Sequence, residues 1–383
     1  MKNIRLIATS TFGLESCIKR EAQRLGFENI RAYDGKVEFD GDESDIVKAN
    51  LWMRFPSKIL IKIGEFKALT FDSLFESTKA LDWGAWIPVD GKFTVNGKSV
   101  KSTLHSVPDC QAIVKKAVVE KLKLKYKVDW FDETGADYTI QVALLNDTAT
   151  LTIDTSGYSL HKRGYRAEAM DAPLKETLAA AMIDLSYWRK NRILFDPMCG
   201  SGTIPIEAAM IARNIAPGLN RTFACEQWER VGKALFKQAR VEAYKAIDYD
   251  CCPRIYGSDI DPEAIAVAKE NAEKAGVDDC IEFTVCPLEK AALMGDYGCM
   301  ITNPPYGERL GELKTVEELY RTLGRLMETN STWSSYVITS MEYFEKLFNK
   351  KADAKRKLFN GRIKTDYYQF YGPRPPKDWN DCR

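Results

Sequence analysis

The sequence predicts an α/β protein. Its C-terminal part reads as a doubly wound, mostly parallel sheet with helices on both faces, preceded by an α+β region. Three observations carry this. From Ile193 onward, short apolar runs alternate with amphipathic ones, the pattern of buried strands separated by covering helices. A glycine-rich loop follows the first of those apolar runs and opens a helix. Upstream of about residue 155, short strands and helices instead follow one another without that regular alternation.

A strand at Ile4 to Ala8 leads into a helix whose apolar residues Leu14, Ile18, Ala22 and Leu25 fall on one face and which ends at Gly26. Short strands follow around Ile30 to Tyr33 and Lys36 to Phe39. From about Phe66 the pattern resumes with a helix near Phe71 to Thr78, a strand at Lys92 to Gly97 and a helix from Asp109 to Lys123. Alternating strands then run over Tyr138 to Leu144 and Thr148 to Ile153. Two compact α+β pieces are expected here, over residues 1–60 and 61–155. After Ser156-Gly157 comes the basic stretch HKRGYR, His161 to Arg166, and then PLKETLAAAMIDL, a helix starting at Pro173, since proline suits the first helical position. A third domain, 156–383, begins there.

Within it RILFD, RIYGSDI, IEFTV, GCMITN and SSYVITS read as strands, and TIPIEAAMIA, PEAIAVAKENAEKAG and VEELYRTLGRLME as helices, with EYFEKLF and TDYYQFYG closing the series. The stretch from Asn214 to Pro253, about 40 residues, is far longer than a usual crossover. It reads as an insertion (about 214–253) with a helix around Trp228 to Ala246, its aromatic and apolar residues packing against the sheet.

Composition narrows the function classes. With 383 residues, two or three domains are expected. Lys and Arg number 55 against 54 Asp and Glu, a net charge of +1, so no overall field selects a nucleic acid or a membrane, and any nucleic-acid surface is local. The opening MKNIRLIATS lacks a signal-peptide core, and no run of about 20 apolar residues occurs, which points to a cytoplasmic protein without a membrane partner. The ten cysteines include no CxxC pair, and only His105 and His161 could complete a zinc site, so no metal is expected and the cysteines read as small buried apolar residues. The sequence does not specify an oligomeric state.

The segment Asp196-Pro197-Met198-Cys199-Gly200-Ser201-Gly202-Thr203 lies between an apolar strand and a helix, where α/β sheets bind nucleotide-like ligands. A dinucleotide fingerprint would need a third glycine where Pro205 stands, and no Gly-Lys-Ser/Thr follows for a phosphate loop. The next strand ends in Gly257-Ser258-Asp259-Ile260-Asp261-Pro262. Asp259 is placed to accept hydrogen bonds from a ribose diol, with Ile260 beside it, whereas Asp261 suits the helix start before Pro262. DPMCGSGT followed by GSDIDP resembles motifs I and II of class I S-adenosylmethionine-dependent methyltransferases, a Rossmann-like fold. That resemblance implies Asp196 near the methionine amino group, Gly200 and Gly202 under the ligand, and Asp259 on ribose.

The fourth strand of this domain runs GCMIT into Asn303-Pro304-Pro305-Tyr306-Gly307. Methylating a base amino group requires a nitrogen lone pair that is delocalised into the ring. Two acceptors, the Asn303 side-chain oxygen and the Pro304 carbonyl, could hold its N–H bonds and aim the nitrogen while Tyr306 stacks on the base. This is catalysis by orientation and electrostatics, without metal or strong base. Asn303, Pro304, Pro305 and Tyr306 are the catalytic candidates. The substrate nucleotide should be unstacked or flipped.

NPPYGERLG (Asn303 to Gly311), SLHKRGYR and APLKETLAAAM (Ala172 to Met182) resemble the THUMP-containing RNA guanosine-N2 methyltransferases, most of all the bacterial RlmL-like enzymes acting on 23S ribosomal RNA. The likeness covers nearly the whole chain, with residues 1–60 like their ferredoxin-like lead-in and 61–155 like the THUMP RNA-binding module. It implies S-adenosylmethionine as cofactor and RNA, ribosomal or transfer, as partner. Two departures stand out. Thr284-Val285-Cys286-Pro287-Leu288 lacks the acidic residue that many relatives place on the adenine amino group. The chain also ends near Arg383 without the second methyltransferase domain fused to some relatives, so one modification is expected.

Local basic clusters are expected to meet phosphate: Lys115-Lys116 through Lys127, the group Lys162, Arg163 and Arg166 with interleaved Tyr165, and Lys350 to Lys357. The first and third suit an ordinary solvated face equally well. Glu308 and Arg309 could read guanine edges or pair with each other. Three alternatives stay open: a transfer-RNA guanosine-N2 enzyme, an adenine-N6 or protein-glutamine methyltransferase, and a non-catalytic RNA-binding assembly factor.

Overall fold

The computed structural model describes residues 3–166, 174–307, 313–377 and 379. The chain divides into two compact units. One gathers Met1–Ser10, Ile18–Leu160 and Thr222–Val241, and the other Thr11–Cys17, His161–Arg221 and Glu242–Arg383.

Up to residue 160 the elements are β1 (Ile4–Thr9), α1 (Glu15–Arg24), β2 (Glu28–Tyr33), β3 (Lys36–Gly41), α2 (Glu43–Trp52), β4 (Lys58–Lys67), α3 (Phe71–Ala80), β5 (Lys92–Val100), α4 (Val107–Tyr126), β6 (Asp137–Leu145) and β7 (Thr148–Asp154). The seven strands form one sheet in the order β2-β3-β1-β4-β7-β6-β5. Two α+β pieces are expected from periodicity, yet β4 pairs with β1 on one side and β7 on the other and makes them a single sheet. Both α2 and β4 fall in a stretch that shows no periodic signal. α2 is fixed instead by a capping box in which Asp42 accepts from Asp45 N and Asp45 accepts from Asp42 N.

The aromatic residues of the insertion pack against this first sheet. Trp228 is buried, stacks on Tyr138 of β6 at 4.7 Å between centroids, and donates from Nε1 to the Asp137 carbonyl at 3.0 Å. The Arg230 guanidinium lies 4.0 Å over the Trp86 ring, and Cys225 N donates to Thr155 O at 3.1 Å. So although it interrupts the second sheet's sequence, residues 222–241 complete the first unit.

The remaining elements are α5 (Glu176–Leu185), β8 (Leu194–Asp196), α6 (Thr203–Ala212), α7 (Gly232–Lys245), β9 (Ile255–Asp259), α8 (Pro262–Ala275), β10 (Ile281–Val285), β11 (Cys299–Thr302), α9 (Leu313–Glu328), β12 (Ser334–Thr339), α10 (Phe344–Leu347), β13 (Ala354–Asn360) and β14 (Ile363–Phe370). Pro173, the expected helix start, lies outside the described residues, and the described helix begins at Glu176. The second sheet has the order β10-β9-β8-β11-β12-β14-β13, with β10 to β12 parallel and β14 and β13 antiparallel. The winding reverses between β8 and β11, and a ligand crevice forms at the carboxyl ends of strands at such a switch. Phe195, Met300, Tyr320, Val337, Phe344 and Phe370 lie in one buried core cluster beneath it. The Lys350 to Lys357 cluster runs onto β13, an edge strand, where lysines also discourage pairing with another chain. Among the described residues, no helix is long and apolar enough to cross a membrane and no cluster of His, Cys, Asp and Glu could hold a metal ion.

Candidate active site

The site starts from the loop between β8 and α6. Cys199 N donates to Ser258 O of β9 at 2.9 Å, Gly202 N donates to Cys199 O at 2.9 Å, and Asn271 of α8 donates from Nδ2 to Ser201 O at 3.0 Å. The loop is thus fastened to both neighbouring elements. Its two glycines differ in purpose. Gly200 has φ +50°, and a Cβ there would meet no heavy atom within 4 Å, so its bare backbone borders open space. Gly202 has φ +80°, and a Cβ would lie 3.0 Å from Ala268 Cβ of α8 and Phe283 Cζ of β10. Its missing side chain lets α6 seat closely on the sheet.

Asp196 is buried and accepts from Met198 N at 3.2 Å. Burial pushes its carboxyl up to about 7, with the nearby Asp259 charge acting in the same direction. Asp259, at the end of β9, accepts from Gly200 N at 2.9 Å through Oδ2 and from Asp261 N at 3.1 Å through Oδ1. Each carboxylate oxygen keeps a further lone pair for a hydroxyl donor. Ile260 is 70% exposed, an apolar side chain standing free beside the crevice. Asp261 is the N-cap of α8, accepting from Glu263 N at 2.9 Å. Cys286 N donates to Asp259 O at 2.9 Å, which leads the chain after β10 out alongside the end of β9.

Neighbouring β11 is buried throughout and ends directly in Asn303-Pro304-Pro305-Tyr306. β11 pairs in parallel with β8, so the loop after it and the glycine loop leave the same edge of the sheet. The Tyr306 hydroxyl donates to Asn303 Oδ1 at 2.6 Å and accepts from Asn360 Nδ2 at 3.2 Å. From α9, the Tyr320 hydroxyl donates to the Pro305 carbonyl at 2.7 Å. Its single proton is committed there, so the Thr339 hydroxyl, 2.8 Å away, is the donor to Tyr320. Burial pushes Tyr320 up to about 12, which keeps it a donor at any working pH. Sequence periodicity did not single out Asn360, Tyr320 or Thr339. Asn360 precedes Gly361 and signals only a turn, and Tyr320 reads as one more apolar position on α9.

In the HKRGYR stretch two of the residues expected to meet RNA are buried. Arg163 and Tyr165 are each 2% exposed, and both address Glu207 Oε1 of α6, from Nε and from the hydroxyl, at 3.3 Å. A side chain committed to a buried carboxylate does not reach phosphate, so these two are structural. Arg166, half-buried, donates to the Thr203 hydroxyl at 2.6 Å and to Leu174 O at 3.0 Å, and pairs with Glu176 at 3.5 Å, tying the stretch to the first residue of α6. Lys162 stays exposed. Arg309 and Glu308 lie outside the described residues.

Comparison with known proteins identifies the family and the fold. Residues 163–369 match the RMKL-like methyltransferase domain, residues 68–154 the THUMP domain and residues 5–60 the RlmL ferredoxin-like domain. The chain is 51% identical over 98% of both lengths to "Putative RNA methyltransferase YpsC" of Bacillus subtilis (strain 168). It is 36% identical, over 92% of its own length and 48% of the relative's, to the ribosomal RNA large subunit methyltransferase K/L of Psychromonas ingrahamii, so it spans about half of that protein. The crystal structure titled "SMU.472, a putative methyltransferase complexed with SAH" superposes with a TM-score of 0.93 at 43% identity, covering 98% of this chain and all of that one. The chain belongs to the RMKL-like methyltransferase family.

Proposed function

We propose that this chain is an S-adenosylmethionine-dependent RNA methyltransferase that modifies the exocyclic N2 of a guanosine, in 23S ribosomal RNA. The observation that carries this reading is the placement of Asn303-Pro304-Pro305-Tyr306 at the carboxyl end of β11, on the sheet edge shared with the glycine loop, in a chain whose other part matches a THUMP domain. The names of the relatives, an RNA methyltransferase and a large-subunit ribosomal RNA methyltransferase, support the substrate class. RNA work of this kind belongs in the cytoplasm.

The residues fit the cofactor. The open backbone at Gly200 leaves room for a ligand against Asp196 through Thr203, Asp196 offers a carboxylate to an amino group, Asp259 offers acceptors to a ribose, and exposed Ile260 offers an apolar face. When bound, S-adenosylmethionine supplies a methyl group on an electrophilic sulfonium. Asn303 Oδ1 and the Pro304 carbonyl are assigned to the two N–H bonds of the substrate amine, Pro305 to fixing the loop and Tyr306 to stacking on the base. Because the reacting nitrogen needs only to be oriented and its developing positive charge stabilised, two carbonyl acceptors suffice. The domains are assigned to 1–60, 61–155 and 156–383, with an insertion at about 214–253. Lys162, exposed, is the member of the basic stretch left for RNA or substrate contact, since Arg166 is engaged with Glu176, Thr203 and Leu174.

Mass spectrometry of nucleosides from ribosomal and transfer RNA incubated with the purified protein and methyl-labelled S-adenosylmethionine tests the reading. Labelled N2-methylguanosine in large-subunit RNA is the expected result. Label in transfer RNA would overturn the substrate, and label on adenine N6 would overturn the assigned base.

A further inference from the structure

We infer that Asn360, at the tip of the β13–β14 hairpin, is a positioning residue for methyl transfer that acts through Tyr306 to hold the Asn303 amide with its oxygen toward the substrate amine. The inference rests on the proposed role of Asn303 and deepens it.

The hairpin is built to hold Asn360 still. Asn360 pairs with Ile363, leaving Gly361 and Arg362 as a two-residue loop. Gly361 has φ +63°, and a Cβ there would meet nothing within 4 Å, so the glycine serves the backbone turn rather than a tight contact. β14 runs antiparallel to β12, which lies parallel beside β11, and this brings the hairpin tip to the sheet edge from which the Asn303 loop emerges. Asn360 is the last paired residue of β13, so its side chain springs from a hydrogen-bonded strand rather than from the loop.

The hydrogen bonds have a direction. A tyrosine hydroxyl has one proton and two lone pairs. Asn360 Nδ2 can only donate, so it takes a lone pair of Tyr306 Oη and leaves the proton for Asn303 Oδ1, the bond observed at 2.6 Å. An amide whose oxygen is addressed by a donor is disfavoured from flipping its NH2 into that place. Asn303 would otherwise be free to present two N–H groups to a substrate amine that itself has only N–H to offer. The second lone pair of Oδ1 remains for the substrate. Asn360 therefore fixes which end of Asn303 faces the base without touching it. Tyr320 complements this by anchoring the Pro305 carbonyl, so the loop is held at two points.

The test compares Asn360→Ala and Asn360→Asp with wild type in the full chain, reading kcat and KM for labelled methyl transfer to RNA across pH 4–9, a range that reaches the ordinary aspartate pKa of about 4, together with S-adenosylmethionine affinity and Tm. Asn360→Ala should lower kcat by roughly five- to tenfold, the effect of one positioning hydrogen bond, with cofactor affinity unchanged. Asn360→Asp should be worse at pH 8, because an ionised carboxylate accepts the Tyr306 proton and reverses the chain. It should recover as pH falls and the protonated carboxyl donates again, a limb absent from wild type and from Asn360→Ala. A wild-type kcat in Asn360→Ala, or identical pH profiles for the two variants, would overturn the inference. Failure of wild type to label an exocyclic amine in any RNA would overturn the underlying function instead, so the two failures are separable.

Discussion

Replacing Gly202 with alanine separates a packing role from a ligand role in the glycine loop. The new Cβ would sit 3.0 Å from Ala268 Cβ and from Phe283 Cζ, and the residue would keep φ +80°. The left-handed backbone costs alanine about 1–2 kcal/mol, and forcing a methyl into a filled contact costs about 1–3 kcal/mol more. A loss of roughly 2–5 kcal/mol should lower Tm by roughly 5–15 °C in a unit of this size. Gly200→Ala bears only the backbone cost of about 1–2 kcal/mol, because no heavy atom lies within 4 Å of its Cβ position. That variant should melt nearer to wild type and lose S-adenosylmethionine affinity, since its methyl enters the space left for the ligand. Differential scanning calorimetry and titration calorimetry on both variants measure the two effects. Equal Tm losses, or Gly202→Ala melting within 2 °C of wild type, would refute the division of labour.

Other outcomes follow from the same structure. Asn303→Ala should abolish methyl transfer while leaving S-adenosylmethionine binding within a few-fold, and equal loss of both in parallel assays would remove Asn303 from the chemistry. Burial raises the Asp196 carboxyl to about 7 in the folded chain against 3.8 for a free side chain, so the cofactor-free fold loses stability as pH rises between those values, on the order of 4 kcal/mol in all. Asp196→Asn should flatten that slope and raise Tm more at pH 8 than at pH 5 while weakening cofactor binding, and a parallel Tm shift at both pH values would count against it. Trp228→Ala should cost about 3–5 kcal/mol through the emptied contact with Tyr138, read by chemical denaturation. Binding of the full chain to RNA should weaken steeply with salt, and Lys115→Ala with Lys116→Ala should reduce the log–log salt slope by about 2. An unchanged slope would leave that helix face merely solvated.

The second sheet was legible because its strands are short and apolar and its loops carry unusual chemistry. Pro205 in place of a third glycine removed the dinucleotide reading, and Asn303 to Tyr306 marked where β11 ends. Asp261 could be told from Asp259 by Pro262 after it, and it does cap α8. The basic stretch was misleading because a run of Lys and Arg looks the same whether its partner is a phosphate or a buried Glu207 some 40 residues onward in α6. Asn360 was hidden for a related reason. Its partner lies 54 residues earlier in the chain, and only the antiparallel return of β14 brings them together. β4 escaped because α2 and β4 are set by a capping box and by strand neighbours rather than by a strong period.

The placement of Trp228 governs the order in which the protein can mature on the ribosome. Tyr138 is made early, yet the ring that covers it arrives about 90 residues later, and the segment as a whole ends at Val241. At about 5–20 residues per second the wait for Trp228 is roughly 5–18 s, long beside the timescale on which the strands of the first sheet can pair. During that interval the nascent sheet presents an uncovered aromatic face while the glycine loop and α6 emerge behind it. The first unit is therefore finished only after part of the second has been translated, so any splitting of this chain for expression in pieces has to carry residues 222–241 along with the N-terminal fragment.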